Sequence, residues 1–358
     1  MRVLFWSSTF WPHIGGAEVL GANLAAALQR RGHDLLVLTR RDSDDLPAAS
    51  TVDGVPVRRL PFQQAVVSQD AGLVLDVRRQ VVALLAELQP EVVHLYNFGP
   101  DLLFHRLAGT KAPQVLTLHG PVTDPVASAL PAAGAVAACS EAVLSDTVAR
   151  FPEVADRVHL VRNALPPAVL DAEVVPPGPP VVLFVGRVVP QKGFDLGLRA
   201  FARFREVCAD ARLVVVGDGI SAGPLAGQAA ELGLAEAVEL VGWCDPVGVR
   251  EHMGRATMVV MPSRFEPFGL VALEAGQSRR PVVAFAVDGL VEAVVHGVNG
   301  LLVPPGDVDG LAEAMVRVAT EPGLAARLGD AGHDPAKAAA DWDAHVTAHE
   351  DLYAGVLR

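Results

Sequence analysis

Two carboxylates stand eight residues apart in the segment Arg264-Phe-Glu-Pro-Phe-Gly-Leu-Val-Ala-Leu-Glu274, with a glycine-containing turn between them. The preceding run Met258-Val-Val-Met261, closed by Pro262 and Ser263, reads as a buried strand and a loop, and Leu270 to Gln277 reads as a helix. Glu266 then lies in the loop and Glu274 a little over one turn inside the helix. The amides of Phe268, Gly269 and Leu270 fall at the helix N-terminus, where backbone donors lack intrahelical partners and form an anion site. A carboxylate beside an anion site suits the hydroxyls of a sugar joined to the anion better than the anion itself. One carboxylate on each side fits a ligand with a sugar at both ends of a diphosphate. The same spelling also reads as two solvated acids beside an ordinary helix start, and the pair alone does not separate the two.

Three further groups sit where strands end. Phe184-Val-Gly-Arg187-Val-Val-Pro-Gln-Lys192-Gly193 places two cations in one strand-to-helix loop, and Lys192 is one of only three lysines, with Lys111 and Lys337. Arg187 can clamp a phosphate bidentately while Lys192 acts as a point charge, although both also read as exposed loop cations. Gly15-Gly16 opens the first helix after the first strand, where the backbone can approach a ligand closely. That pair is no GxGxxG fingerprint, and an ordinary glycine turn remains open. Leu116-Thr-Leu-His119-Gly120 ends a strand on a histidine, and His94-Leu-Tyr96-Asn97 and Cys139-Ser140 occupy similar ends. Their plain readings are a structural histidine, loop packing for Tyr96 and helix capping for Ser140.

The elements that must hold these groups alternate. Apolar runs at Val3–Trp6, Leu35–Leu38, Val55–Leu60, Val92–Tyr96, Val115–Leu118, Val136–Cys139 and Val158–Val161 are interleaved with helical stretches such as Ala17–Arg31 and about Asp70–Gln89. Continuous apolar strands alternating with helices predict a parallel sheet covered on both faces. The pattern restarts at Val181–Val185 and continues through Leu213–Val216, Val238–Val241, Met258–Met261, Val282–Phe285 and Leu301–Val303. Proline clusters at Pro166-Pro167 and Pro176–Pro180 mark a linker between the two sets. The expected division is therefore residues 1–165, a linker over 166–180, a second domain over 181–340, and a last helix over 341–358 after a break at Pro335. The architecture expected is α/β, with two doubly wound Rossmann-like parallel-sheet domains facing across a cleft, and ligands outside the strands' carboxyl ends.

The 358 residues suit two domains of roughly 100 to 200 residues, and a hydrophobic fraction of 51% is ample for two cores. A formal net charge of −12 argues against a nucleic-acid surface. The doublets Arg30-Arg31, Arg40-Arg41, Arg58-Arg59 and Arg78-Arg79 read as solvated helix ends or loops. No apolar stretch reaches the roughly 18 residues of a membrane helix, so a soluble cytoplasmic protein is expected. Cys139, Cys208 and Cys244 lie too far apart in sequence for a CxxC site and read as small buried residues. Asp42-Ser-Asp44, Asp307-Val-Asp309 and Asp341-Trp-Asp343 spell DxD outside any phosphate site, Asp307 reading as a helix N-terminal acid. No metal and no cofactor is expected.

With Gly15-Gly16, Arg187, Lys192 and the Glu266-to-Glu274 segment in this order, the chain resembles the family-4 retaining glycosyltransferases of the GT-B fold over nearly its whole length. Val161-Arg-Asn163, Gly217-Asp-Gly219, Gly242, Gly289 with Glu292, and Gly297 to Asp307 add to the likeness. The resemblance implies that Arg187 and Lys192 neutralise a donor diphosphate, helped by amides at Gly16 and at Phe268, Gly269 and Leu270. It implies that Glu274 accepts the ribose hydroxyls, that Glu266 accepts those of the transferred sugar, and that His119 lies near that sugar. Retention of the anomeric configuration would follow a front-face route in which the leaving phosphate takes the acceptor proton. The donor would be a nucleoside-diphosphate sugar, first a UDP-hexose or UDP-N-acetylhexosamine. The acceptor would be a small hydroxylated molecule held by loops that include Tyr96, Asn97 and His119. A GT-B relative with different chemistry, a pseudo-glycosyltransferase or phosphorylase, and a silent nucleotide-sugar-binding protein are the alternatives. The chain departs from the family pattern at Asn163-Ala164, where Asn-Gly is usual, and at Ser278-Arg279-Arg280-Pro281, which lacks the usual glycine. It departs again at Asp288, where a second glycine is common before Gly289.

Overall fold

A computed structural model describes residues 1–13, 15–43, 45–166, 178–339 and 341–358. The chain divides into two compact units, one of Met1–Arg162 with Trp342–Arg358 and one of Asn163–Asp341. Most of the expected linker, residues 167–177, lies outside the described residues, as does Asp44 of the first DxD spelling.

The first unit is built on β1 (Arg2–Ser7), β2 (Asp34–Arg40), β3 (Ala49–Val52), β4 (Val55–Leu60), β5 (Val92–Asn97), β6 (Gln114–Leu118), β7 (Ala135–Ala138) and β8 (Val158–Leu160). They lie in the order β3-β4-β2-β1-β5-β6-β7-β8. Every pairing is parallel except β3 with β4, a hairpin closed by Asp53-Gly54 with both residues at positive φ. The polar run Ala49-Ser-Thr-Val52 carries no apolar periodicity, which is why only its Asp-Gly turn could have revealed it. The strand order reverses between β1 and β5, so Gly15-Gly16 and Asn97 both lie at the switch point where open α/β sheets bind ligands.

The last helix, Trp342–Val356, belongs to this unit and buries His345, Val346, His349, Leu352 and Tyr353. His94 on β5 meets the Tyr353 hydroxyl at 2.7 Å through Nδ1 and the Thr117 hydroxyl at 2.7 Å through Nε2. His345 Nδ1 lies 2.8 Å from the Arg162 carbonyl oxygen, and His349 Nδ1 lies 2.9 Å from that of His345. Arg31 pairs with Asp343 and Glu350 of the same helix, so that arginine is not the solvated helix-end charge its doublet suggested. Arg59 departs further. It is 4% exposed on β4, where it donates to the Trp11 carbonyl at 2.8 Å and the Ser50 hydroxyl at 2.7 Å.

The second unit carries β9 (Val181–Val185), β10 (Arg212–Val216), β11 (Val238–Gly242), β12 (Met258–Met261), β13 (Val282–Phe285) and β14 (Gly300–Val303). All are parallel, in the order β11-β10-β9-β12-β13-β14. Its switch point falls between β9 and β12, whose carboxyl ends carry Arg187 and Lys192 on one side and Glu266 on the other. The helix Phe194–Val207 buries Phe194, Gly197, Leu198, Phe201 and Phe204, the three-to-four spacing of a face laid on a sheet.

The helix Leu324–Ala339 continues through Pro335, where a break was expected. A late proline removes one backbone donor without ending the helix, and the next helix starts at Trp342. Cys139 is buried as expected, whereas Cys208 and Cys244 are half-buried. Among the described residues, no helix is long and apolar enough to cross a membrane.

Candidate functional site

Glu266 is held by its loop before it is held by its charge. The segment after β12 turns into the helix Leu270–Gln277 through Gly269 at φ 93. The Glu266 N–H donates to Asp288 Oδ2 at 3.0 Å, and the Glu266 carbonyl accepts from the Gly289 N–H at 3.0 Å. Gly289 is needed for that approach, because a Cβ there would stand 2.3 Å from the Pro267 carbonyl oxygen and 2.5 Å from the Phe268 Cα. Glu266, only 6% exposed, directs Oε2 at Lys192 Nζ, 2.6 Å away, with the Ser263 hydroxyl at 3.4 Å. Its Oε1 makes no hydrogen bond with the described residues.

Lys192 comes from the loop after β9, which is registered against the loop after β12. Arg264 donates two bonds to Asp195, at 2.7 and 2.6 Å, and one to the Pro190 carbonyl at 2.8 Å, while its amide donates to the Gln191 carbonyl. Gly193 adopts φ 63, and a Cβ on it would lie 2.0 Å from the Pro262 carbonyl oxygen. Arg187, two residues past β9, is exposed and forms no ion pair with the described residues.

Glu274 occupies the helix Leu270–Gln277 and is partly buried. Desolvation pushes its carboxyl up to about 7, against the pull of Arg250 and Lys192. The N–H groups of Phe268, Gly269 and Leu270 donate no hydrogen bond to the described residues, as is general at a helix start. Within the second unit, the sequence-predicted Lys192, Glu266, Glu274 and the helix start are therefore brought together. Arg250, Arg264, Asp195, Ser263 and Asp288 were not foreseen. The Arg264 at the head of the motif was a signal that could have been read, since a lone arginine beside a strand end seeks a carboxylate.

In the first unit, Gly15 caps the helix Gly16–Arg30, and a Cβ on it would fall 2.3 Å from the Glu18 carboxylate. Glu18 Oε1 accepts from the Thr9 hydroxyl at 2.7 Å and from Asn97 Nδ2 at 3.3 Å, and Asn97 Nδ2 also donates to Thr9 Oγ1 at 2.7 Å. Asn97 Oδ1 accepts from the Phe98 N–H at 3.1 Å. The amide of Asn97 thus ties these loops together. Tyr96, also expected among acceptor contacts, is 1% exposed and packs on Phe5, His94 and His119 beneath Gly21, so that expectation is corrected to a core role. His119 lies one residue past β6, its ring 4.5 Å from that of Tyr96, and burial lowers its pKa to about 4, leaving it neutral at pH 7. Ser140 and Asp307 act as helix caps, accepting from the Val143 and Gly310 amides. Among the described residues, no group of three or more His, Cys, Asp or Glu side chains is placed to hold a metal ion.

Residues 170–334 match the family described as glycosyl transferases group 1, and residues 14–169 match Glycosyltransferase Family 4. The D-inositol 3-phosphate glycosyltransferase of Acidothermus cellulolyticus is 32% identical over 88% of this chain and 80% of its own length. The chain belongs to glycosyltransferase family 4. The glycogen synthase of Mycobacterium tuberculosis is 27% identical to this family-4 glycosyltransferase, over 100% of this chain and 95% of its own. The crystal structure of Anabaena HepE in complex with UDP and glucose superposes with a TM-score of 0.78 at 22% identity, covering 99% of each chain. That likeness, with the two parallel-sheet units, gives the GT-B fold.

Proposed function

We propose that this glycosyltransferase moves a hexose, or an amino or deoxy derivative of one, from a nucleoside diphosphate to a hydroxyl of a small acceptor. The anomeric configuration is retained and no metal is required. UDP is the first nucleotide to test, a choice supported by the HepE structure in complex with UDP and glucose. The relative described as a D-inositol 3-phosphate glycosyltransferase supports a small polyol acceptor.

The observation that carries the reading is the convergence of Lys192, Glu266, Glu274 and the three helix-start amides at the switch point between β9 and β12. Lys192 and the amides meet the diphosphate, with Arg187 as a bidentate clamp. Glu274 accepts the ribose hydroxyls and Glu266 the hydroxyls of the sugar. Phosphate departure builds negative charge beside Lys192, Arg187 and the helix start. Preorganised donors of this kind contribute roughly 3 to 4 kcal/mol each elsewhere. The leaving phosphate takes the acceptor proton, so no protein nucleophile is assigned. His119, kept neutral at pH 7 by burial in the first unit, is the histidine that the family likeness assigns to the transferred sugar.

A thermal-shift panel of UDP-, GDP-, ADP- and dTDP-sugars tests the donor, followed by mass spectrometry of acceptor mixtures with the best one. Stabilisation by one nucleotide class and a product heavier by one sugar, undiminished by chelator, are expected. Donor affinity that collapses with chelator contradicts the metal-free reading.

A further inference from the structure

Asp288 stands where a glycine is common in chains of this pattern, and its backbone keeps the conformation of a glycine, with φ 38. An aspartate in the left-handed region carries a steric cost that glycine does not. Such strain persists where the surroundings hold it in place, and at functional sites it accompanies a task. Here the side chain supplies one. Oδ2 accepts the Glu266 N–H at 3.0 Å, while the next residue, Gly289, donates its own N–H to the Glu266 carbonyl at 3.0 Å.

The peptide from which the Glu266 side chain projects is thereby gripped on both sides by two successive residues of one loop. A glycine at 288 leaves that N–H, on a residue 6% exposed, without its partner. Glu266 in turn divides its carboxylate: Oε2 faces Lys192 and Ser263, and Oε1 is left for a ligand.

We propose that Asp288 is a positioning residue for Glu266, setting where the carboxylate at the sugar end of the donor site stands. The proposal rests on the reading of Glu266 given above. It makes the departure from glycine a feature of this chain's own sugar subsite.

The test compares Asp288→Gly with Asp288→Asn. Glycine relieves the φ strain but removes the acceptor; asparagine tolerates the left-handed region and keeps a side-chain oxygen. The expected result is a kcat at least tenfold lower for Asp288→Gly with the best nucleotide sugar, while UDP affinity stays within twofold. Asp288→Asn should keep kcat within threefold. Hydrogen exchange gives a readout that needs no turnover, and the Glu266 amide should exchange at least tenfold faster in Asp288→Gly than in the wild type. A glycine variant with wild-type kcat overturns the proposal, as does one whose UDP affinity falls as far as its kcat, or one whose Glu266 amide stays protected. A wild type that turns over no nucleotide sugar sinks the reading of Glu266 instead, and the exchange measurement still decides whether Asp288 holds it.

Discussion

Lys192 Nζ lies 2.6 Å from Glu266 Oε2, so the two groups assigned to the phosphate and to the sugar of one donor hold each other. The pair is largely withdrawn from water, with side-chain exposures of 20% and 8%. Each partner holds the other in place, and a donor must enter between them or beside them.

Removing one partner leaves the other desolvated and unpaired. Lys192→Ala should destabilise the protein by about 1–3 kcal/mol, measured by urea unfolding. The double variant Lys192→Met/Glu266→Gln should recover part of that loss. A single variant as stable as the wild type means that the pair is not buried as described.

The Glu274 carboxyl, raised from 4.5 to about 7, binds its proton more tightly when folded than when unfolded. Its contribution to stability is complete below pH 4.5 and is lost as pH rises through 7, at most about 3 kcal/mol in all. Donor binding should run the other way, because ribose hydroxyls bond best to the ionised form. UDP affinity is expected to fall by up to about tenfold per pH unit below 7, and Glu274→Gln should flatten that slope. A wild-type affinity independent of pH between 5.5 and 8 contradicts this.

The buried histidines of the first unit predict acid lability. His94 is lowered to about 3, and His119 and His345 to about 4, all chiefly by burial. Folded pKa values below the unfolded value mean stability that is present above pH 6.5 and lost as pH falls toward 4. Each group contributes up to about 3 to 5 kcal/mol, and several together approach the whole stability of a typical domain. Circular dichroism should show unfolding before pH 4, and stability that stays flat down to that pH would refute the account.

Gly193 and Gly227 should respond to alanine with opposite signs. At Gly193, φ 63 and a Cβ 2.0 Å from the Pro262 carbonyl oxygen predict a loss of about 1–3 kcal/mol and impaired turnover. Gly227 lies within the helix Ala222–Glu231 with open space around it, so alanine there should stabilise by up to about 1 kcal/mol. Thermal unfolding of both variants checks the contrast.

The parallel strands were legible because strands buried on both faces write continuous apolar runs, and the helix Leu270–Gln277 was legible from its glycine start. The polar strand Ala49–Val52 writes no such run. Arg59 and Tyr96 spell a loop cation and a strand-end tyrosine, and only the tertiary packing shows that both are interior. The proximity of Lys192, Glu266 and Glu274 was legible because these residues sit at strand ends or helix starts near in sequence to their motifs. Asp288 and Arg250 were not, since they reach that set from elements that become neighbours only on folding.

The central claim is that Glu266 handles the sugar of a donor whose nucleotide is held by other groups. It is tested most directly by measuring, for wild type and Glu266→Ala, both UDP affinity and UDP release from a UDP-sugar in the presence of acceptors. The account predicts wild-type turnover, a variant that turns over at least tenfold more slowly, and UDP affinities that agree within about threefold. A variant with undiminished turnover, or a wild type that releases no UDP from any UDP-sugar, contradicts it.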